Sequence, residues 1–405
     1  MHHARTSTTL SSHRVAMLAT ALAATLFVAA CGGGGDDAPA PQPVPKLANQ
    51  LYTETNETAN AIVHFTRQAD GTLVRRETTP TGGAGTNAVN AAGSTVPDSL
   101  VSQHSLIASP DGSTVFVVNG GDDSISVMAV DPSTGALTLK KRSTTAAGHI
   151  PNSLALNHGV LYATFIGGAS QLAAFKVEAD GGLTQLGSYD LLALGGLATA
   201  SPTQVIVSPD GGFAVVSAGT GSNAILSFPI AADGRLGTPV TSAGVLATPF
   251  AGAFVPGAAS PVYLSTGIST QSLNAFSFSA TGALAALGQA SAAGTAAPCW
   301  LVVTPDGKTA FVGNGSGSIS SYAIAGNTLT LLDATAALEP PAQAGINSVA
   351  ADSWISPDGK FLYTAYLGDD KVVAYAIGLN GSLAKLGETV IGTATKLSLQ
   401  GLVGF

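Results

Sequence analysis

Ile355-Ser356-Pro357-Asp358-Gly359-Lys360-Phe361-Leu362-Tyr363 reads as the end of one apolar strand, a tight turn and the start of a second apolar strand. Proline presets φ for the first corner of a type I turn, the preceding Ser can bond the backbone just ahead, and Gly relieves the last corner. Ser109-Pro110-Asp111-Gly112, Ser208-Pro209-Asp210-Gly211 and Thr304-Pro305-Asp306-Gly307 repeat it, each with apolar residues on both sides. Four copies of one turn mark a repeated hairpin rather than a Ser-Asp catalytic pair.

Around each turn lies a larger unit: inner strand, Ser-Pro-Asp-Gly, second strand, a Gly/Asp/Asn turn, third strand, an Asp-Gly turn, fourth strand. In the last copy the strands are expected at about Ser353–Ile355, Phe361–Tyr366, Val372–Ile377 and Ser382–Glu388. The fourth strand opens on a Gly-x-Leu pattern, which marks Leu73, Leu137, Leu183, Leu236, Leu284 and Leu383, with Leu329 one residue late after Gly326, at spacings of 45 to 64 residues. Seven marks with a period of roughly fifty residues and four short strands per unit are the signature of a β-propeller. Asn157-His158-Gly159 and Gly257-Ala258-Ala259-Ser260-Pro261 replace the turn in two units, and the longest spacing is a loop insert from Thr81 to Ser102.

The two ends predict how the ring closes. The first strand after the linker, Gln50-Leu51-Tyr52-Thr53, matches a second strand with no inner strand ahead of it. Leu399-Gln400-Gly401-Leu402-Val403-Gly404-Phe405 matches an inner strand with nothing after it. The expected fold is therefore an all-β, seven-bladed β-propeller of four-stranded blades over 47–405, closed by the C-terminal strand completing the first blade. The composition agrees: charged residues make up 10% and glycines number 49, with no long helix-forming stretch.

The N-terminus predicts an address. Arg5 and Arg14 precede an uncharged apolar run from Val15 to Ala30, the layout of a secretory signal peptide over 1–30. Val28-Ala29-Ala30-Cys31 resembles the lipobox of bacterial lipoproteins, which implies lipid on Cys31, a membrane partner through that lipid, and an exported location. Gly32 next to it resembles the outer-membrane sorting pattern, facing either periplasm or cell surface. Residues 31–46 complete a Gly/Pro-rich tether. With Cys31 acylated, Cys299 has no partner, so no disulfide is expected, and its apolar surroundings suggest a buried small hydrophobe. The formal charge of −8 falls to −10 once Arg5 and Arg14 leave with the signal. With no basic stripe, nucleic acid is excluded as a partner.

In a propeller, successive connections alternate between two faces. The Ser-Pro-Asp-Gly and Asp-Gly turns share one face; the other carries the inter-blade loops and the second-to-third-strand turns, and is where a ligand is expected at the channel mouth. Ligand-binding candidates there are His104, His149, Asn152, Gln204 and Trp300, with Asp352 the candidate catalytic acid. Asp122-Asp123 and Asp369-Asp370 sit in turns where Asp suits the backbone and faces solvent. His104 and His149 have no third ligand of suitable spacing, so no metal and no other cofactor is predicted. His64 and His158 read as structural or surface residues.

Ser109 through Gly121, Cys299 through Gly307 and Ser356 through Gly368 carry a resemblance that extends from about Leu47 to Phe405. The chain resembles the lactonase-type seven-bladed propellers, the family that contains 6-phosphogluconolactonase and fungal carboxymuconate lactonizing enzymes. Such a resemblance implies lactone hydrolysis or cycloisomerisation of small carboxylated lactones. In phosphogluconolactonase-like members a His lies four residues before the turn Ser in early blades; Ser105 and Ser153 stand there in this sequence. Asp352 matches the late-blade acid, one methylene shorter than the usual Glu, and Leu367 replaces that blade's Arg. Arg67, Arg75, Arg76, Arg142 and Arg235, the arginines left after signal removal, fall near outer strands or their turns. The reading is a small-molecule, glycan or protein binder with catalysis weakened or lost; an active lactonase or a structural scaffold are the alternatives.

Overall fold

A computed structural model describes residues 47–291 and 295–405. Its strands form seven four-stranded antiparallel sheets. The inner strands of blades 1 to 7 are Gln400–Gly404, Leu106–Ala108, His149–Asn157, Gln204–Val207, Pro249–Phe254, Pro298–Val303 and Ala350–Ile355. Blade 1 is the composite one expected from the chain ends, ordered Gln400–Gly404, Gln50–Glu54, Ala61–Arg67, Leu73–Pro80. Blade 7's inner strand starts at Ala350, three residues ahead of the sequence expectation, because a bulge lets Ala350 pair with Tyr366 while Ser353 pairs with Thr364.

The recurring turn works as its residues dictate. Ser356 Oγ accepts from Phe361 N (3.0 Å), Gly359 N donates to the Ser356 carbonyl (2.8 Å), and Gly359 holds φ 70°. Ser109, Ser208 and Thr304 repeat the first bond to Thr114, Phe213 and Thr309.

A second repeated device joins blade to blade. Tyr52 Oη donates to the Gly135 carbonyl of blade 2 (2.7 Å), Tyr162 to Gly234 of blade 4 (3.0 Å), and Tyr363 of blade 7 to Gly71 of blade 1 (2.8 Å). Each tyrosine lies on a second strand, and each glycine sits in the neighbour's turn between third and fourth strands at φ near 80°, where a Cβ would be strained. The blade 7 to blade 1 contact has the same chemistry as the others, so the ring closes without a special seam.

Candidate functional site

Burial along the inner strands shows which end of the channel meets solvent. Most run from buried near the loop face to half-buried toward the turn into the second strand: Gln204 and Val205 are buried and Ile206 and Val207 half-exposed, and Leu301 gives way likewise to Val302 and Val303, whereas His149–Asn157 starts exposed and Ala350–Ile355 ends on buried Ile355. The channel is thus closed on the loop face, where the sequence reading places the ligand, and open on the turn face.

The stopper is the chain itself. Asp98, Val101 and His104 adopt left-handed backbone (φ 55°, 49° and 72°), which turns the segment before blade 2's inner strand across the channel. Gln103 reaches blade 6, where its Nε2 donates to the Leu301 carbonyl (2.8 Å) and its Oε1 accepts from Leu301 N (2.9 Å). Gln103 N donates to Thr203 O of blade 4 (3.0 Å), and Trp300 Nε1 of blade 6 to Ser102 O (2.9 Å). His104 N donates to Asp352 Oδ1 of blade 7 (3.0 Å), and Ser153 Oγ of blade 3 to Gln103 O (2.7 Å). A segment confined to its own place in the ring would meet blades 1 and 3 alone; this one bonds across the axis. Each of these bonds satisfies a group that would be costly to leave unpaired in a buried setting.

Above the stopper, on the turn-face side, lies a cavity of about 450 Å³. Its walls are apolar side chains such as Ile107, Ile206, Phe254, Val302, Trp354 and Val403, and its polar floor is Gln103 and His104. No Lys, Arg, Asp or Glu lines it. Burial pushes the His104 pKa down to about 4, so at neutral pH the ring is an uncharged donor and acceptor.

The sequence candidates separate into two groups. His104, Gln204, Trp300 and Asp352 gather at the stopper. Gln204 Oε1 accepts from Gly252 N (2.5 Å) while its Nε2 faces His104 Nδ1 (3.4 Å), and Trp300 packs edge-on against Phe250. Asn152 is buried with its amide engaged by Pro202 O, Leu100 O and Thr164 Oγ1. His149 stands apart, exposed and paired with Asp123 (2.7 Å). His64 is buried between Gln50 and Glu77 and stacked on Tyr52, and His158 occupies an exposed turn. Cys299 is buried, and burial holds its thiol well above the usual range. Cys31 lies outside the described residues.

The turn acids depart from the expectation of solvent exposure. Asp370 is 2% exposed, accepting from Gly392 N, Thr393 N and Thr393 Oγ1, and Asp369 accepts from Ala342 N. Asp123 similarly receives Ile150 N. Both Asp123 and Asp370 take left-handed backbone (φ 54°) and clamp the next inter-blade loop.

Two acids at the closed end escaped the sequence reading. Glu54 ends blade 1's second strand, and Asp98 heads the stopper. Burial raises the pKa of Glu54 to about 8, and those of Asp98 and Asp352 to about 7. The available signal was an acid terminating an apolar strand, Gln50-Leu51-Tyr52-Thr53-Glu54.

Residues 86–244 match the family model described as Lactonase, 7-bladed beta-propeller. That match covers less than half of the chain, and the closed ring of seven four-stranded blades gives the chain the fold that the description names, a seven-bladed β-propeller. The chain is similar to a candidate 6-phosphogluconolactonase of Bacteroides fragilis, at 18% identity and TM-score 0.65 over 90% of this chain and 99% of that one. A periplasmic gluconolactonase of Pseudomonas aeruginosa superposes at 20% identity and TM-score 0.63, over 85% and 97% of the two chains. Hydrazine synthase of Kuenenia stuttgartiensis superposes too, at 18% identity and TM-score 0.52, over 74% and 89%. No curated protein matches the sequence. At such identities the likeness is one of fold, and chemistries this different on one scaffold put the weight on the site.

Proposed function

We propose that the protein is an exported, lipid-anchored propeller that binds a small, uncharged and largely apolar molecule in the channel on its turn face, and that turnover of charged sugar lactones is weakened or lost. One observation carries this reading: the cavity has apolar walls, a neutral polar floor and no charged side chain. Apolar walls with a few placed polar groups suit such ligands. Stabilising charge on a reacting carboxylated lactone requires cations or aimed donors, and losing one donor costs about a hundredfold or more in rate. Ser105, Ser153 and Leu367 are all fully buried, and Asp352 is not among the residues lining the cavity.

A panel of neutral apolar compounds and carboxylated or phosphorylated lactones, read by both thermal shift and lactone opening, tests this. Neutral apolar compounds should raise Tm and no lactone should open at a useful rate. Robust opening that Asp352→Asn abolishes without loss of stability would make the protein an active lactonase.

The location belongs to the same proposal. The lipobox-like Val28-Ala29-Ala30-Cys31 supports anchoring through acyl chains, and no helix among the described residues is long and apolar enough to cross a membrane. A fatty-acid probe should label the wild type and not Cys31→Ser, which should appear in the soluble fraction; a variant still labelled and membrane-bound would contradict the anchor.

A further inference from the structure

Two acids grip the end of the stopper from the two blades where the ring closes. Asp352, on blade 7's inner strand, accepts from His104 N at Oδ1 (3.0 Å). Glu54, at the end of blade 1's second strand, receives Asn60 Nδ2 (3.1 Å) and the hydroxyl of Ser105, the residue after His104. The two acids are 2% and 0% exposed. A third, Asp98, heads the same segment and accepts from Ser102 N and Gln400 Nε2 (3.3 Å each).

No base answers them. None of the three makes an ion pair among the described residues. The other titratable groups facing them are His104, which burial keeps neutral, and Cys299 of blade 6, which burial keeps as a thiol. Gln400 of the C-terminal strand, Asn60 and Ser105 carry no charge. Asp352 Oδ2 has no hydrogen-bond partner. A buried carboxylate with one donor and no counter-ion is expensive, whereas the neutral acid suits the site. Ionising both acids also sets like charges against each other, and Asp98 adds its own to Asp352.

The cheapest way to hydrate these carboxylates is to move what covers them. Glu54 and Asp352 sit on ladder-paired strands, while Ser102–His104 lies outside any strand. A segment without a ladder opens at lower free energy than the sheets around it.

We propose that the stopper is a proton-held latch: neutral Glu54 and Asp352 keep Ser102–His104 seated across the channel, and loss of their protons to solvent lifts that segment and opens the loop face. The latch acts on access to the channel, whatever ligand the cavity takes. Burial raises Asp352 to about 7 and Glu54 to about 8 in the closed form, above the value of about 4 each has once hydrated. The advantage of the closed form is therefore complete below about pH 4 and is lost as pH rises to about 8, the opening constant growing by up to about tenfold per pH unit for each proton released.

The test compares labelling of Ser153→Cys, beneath the stopper, with that of Ala108→Cys in the open cavity, each in the full chain carrying Cys31→Ser, using dithiodipyridine at pH 5.5 and 7.5. Taking the ratio of the two rates at each pH removes the reagent's own pH dependence. The Ser153→Cys rate relative to Ala108→Cys should rise at least about tenfold between the two pH values, and adding Glu54→Gln with Asp352→Asn should flatten it to within about twofold. Should that double variant fail to fold, amide exchange of Gln103 and His104 in the wild type reads the same opening, with protection falling at least about tenfold over the same interval. A low ratio that does not change with pH, or a pH dependence that survives in the folded double variant, would overturn the latch while leaving the stopper in place. Equal rates at both pH values would overturn latch and stopper together.

Discussion

Deleting Leu399–Phe405 is expected to abolish cooperative folding of the whole propeller. This strand supplies the inner edge of blade 1, where Gln50 and Phe405 exchange both backbone hydrogen bonds (3.0 Å each) and Leu51, Tyr52 and Glu54 pair with Gly404, Val403 and Gln400. Thr53 Oγ1 adds a bond to the Gly401 carbonyl (2.6 Å). Leu399, Leu402 and Phe405 are at most 5% exposed, and Phe405 packs on Tyr52 at 5.7 Å. Three such side chains contribute about 5–9 kcal/mol of burial, comparable to the roughly 5–15 kcal/mol net stability of an ordinary domain. The truncation also leaves Gln50–Glu54 as a bare edge beside the channel. Calorimetry should show no native-like transition; a Tm within a few degrees of wild type would contradict the closure.

What could be read from the sequence was local and repeated. The Ser-Pro-Asp-Gly turn is specified by four adjacent residues whose bonds stay within five positions, so four copies showed the hairpins directly. The Gly-x-Leu marks did the same for the fourth strands, and the unmatched strands at the two ends predicted blade 1. The helical turn Leu191–Gly195, capped by Asp190, was missed, being too short to carry a periodicity. The site was less legible because its bonds are long-range. Gln103 binds the backbone of Leu301, 198 positions away, and a backbone partner leaves no trace in side-chain identity. His104, Gln204, Trp300 and Asp352 stood out as polar or bulky residues at the starts of inner strands and do converge. Their pattern could not show that the intervening chain fills the mouth they surround. Glu54 and Gln400 acquire meaning only once the C-terminal strand is laid beside the first.

Thiol labelling at the two ends of the channel is expected to differ by about a hundredfold or more. Ala108 and Val303 are half-buried and line the cavity near the turn face, so cysteines there meet reagent in the native state. Ser153 is fully buried against the stopper, its hydroxyl bonded to Gln103 O and Val205 N. A cysteine in its place reacts after the stopper lifts, and an opening free energy of about 3 kcal/mol slows labelling about a hundredfold. Cys299, buried and held as a thiol, stays silent in the same experiment.

The decisive measurement is therefore the ratio of labelling rates for Ala108→Cys and Ser153→Cys, each in a Cys31→Ser background and under conditions where both variants are folded. A channel open on the turn face and stoppered by Ser102–His104 predicts fast labelling of the first and a rate lower by about two orders of magnitude for the second. Equal rates would show that the loop face admits solvent and would return the ligand site to it.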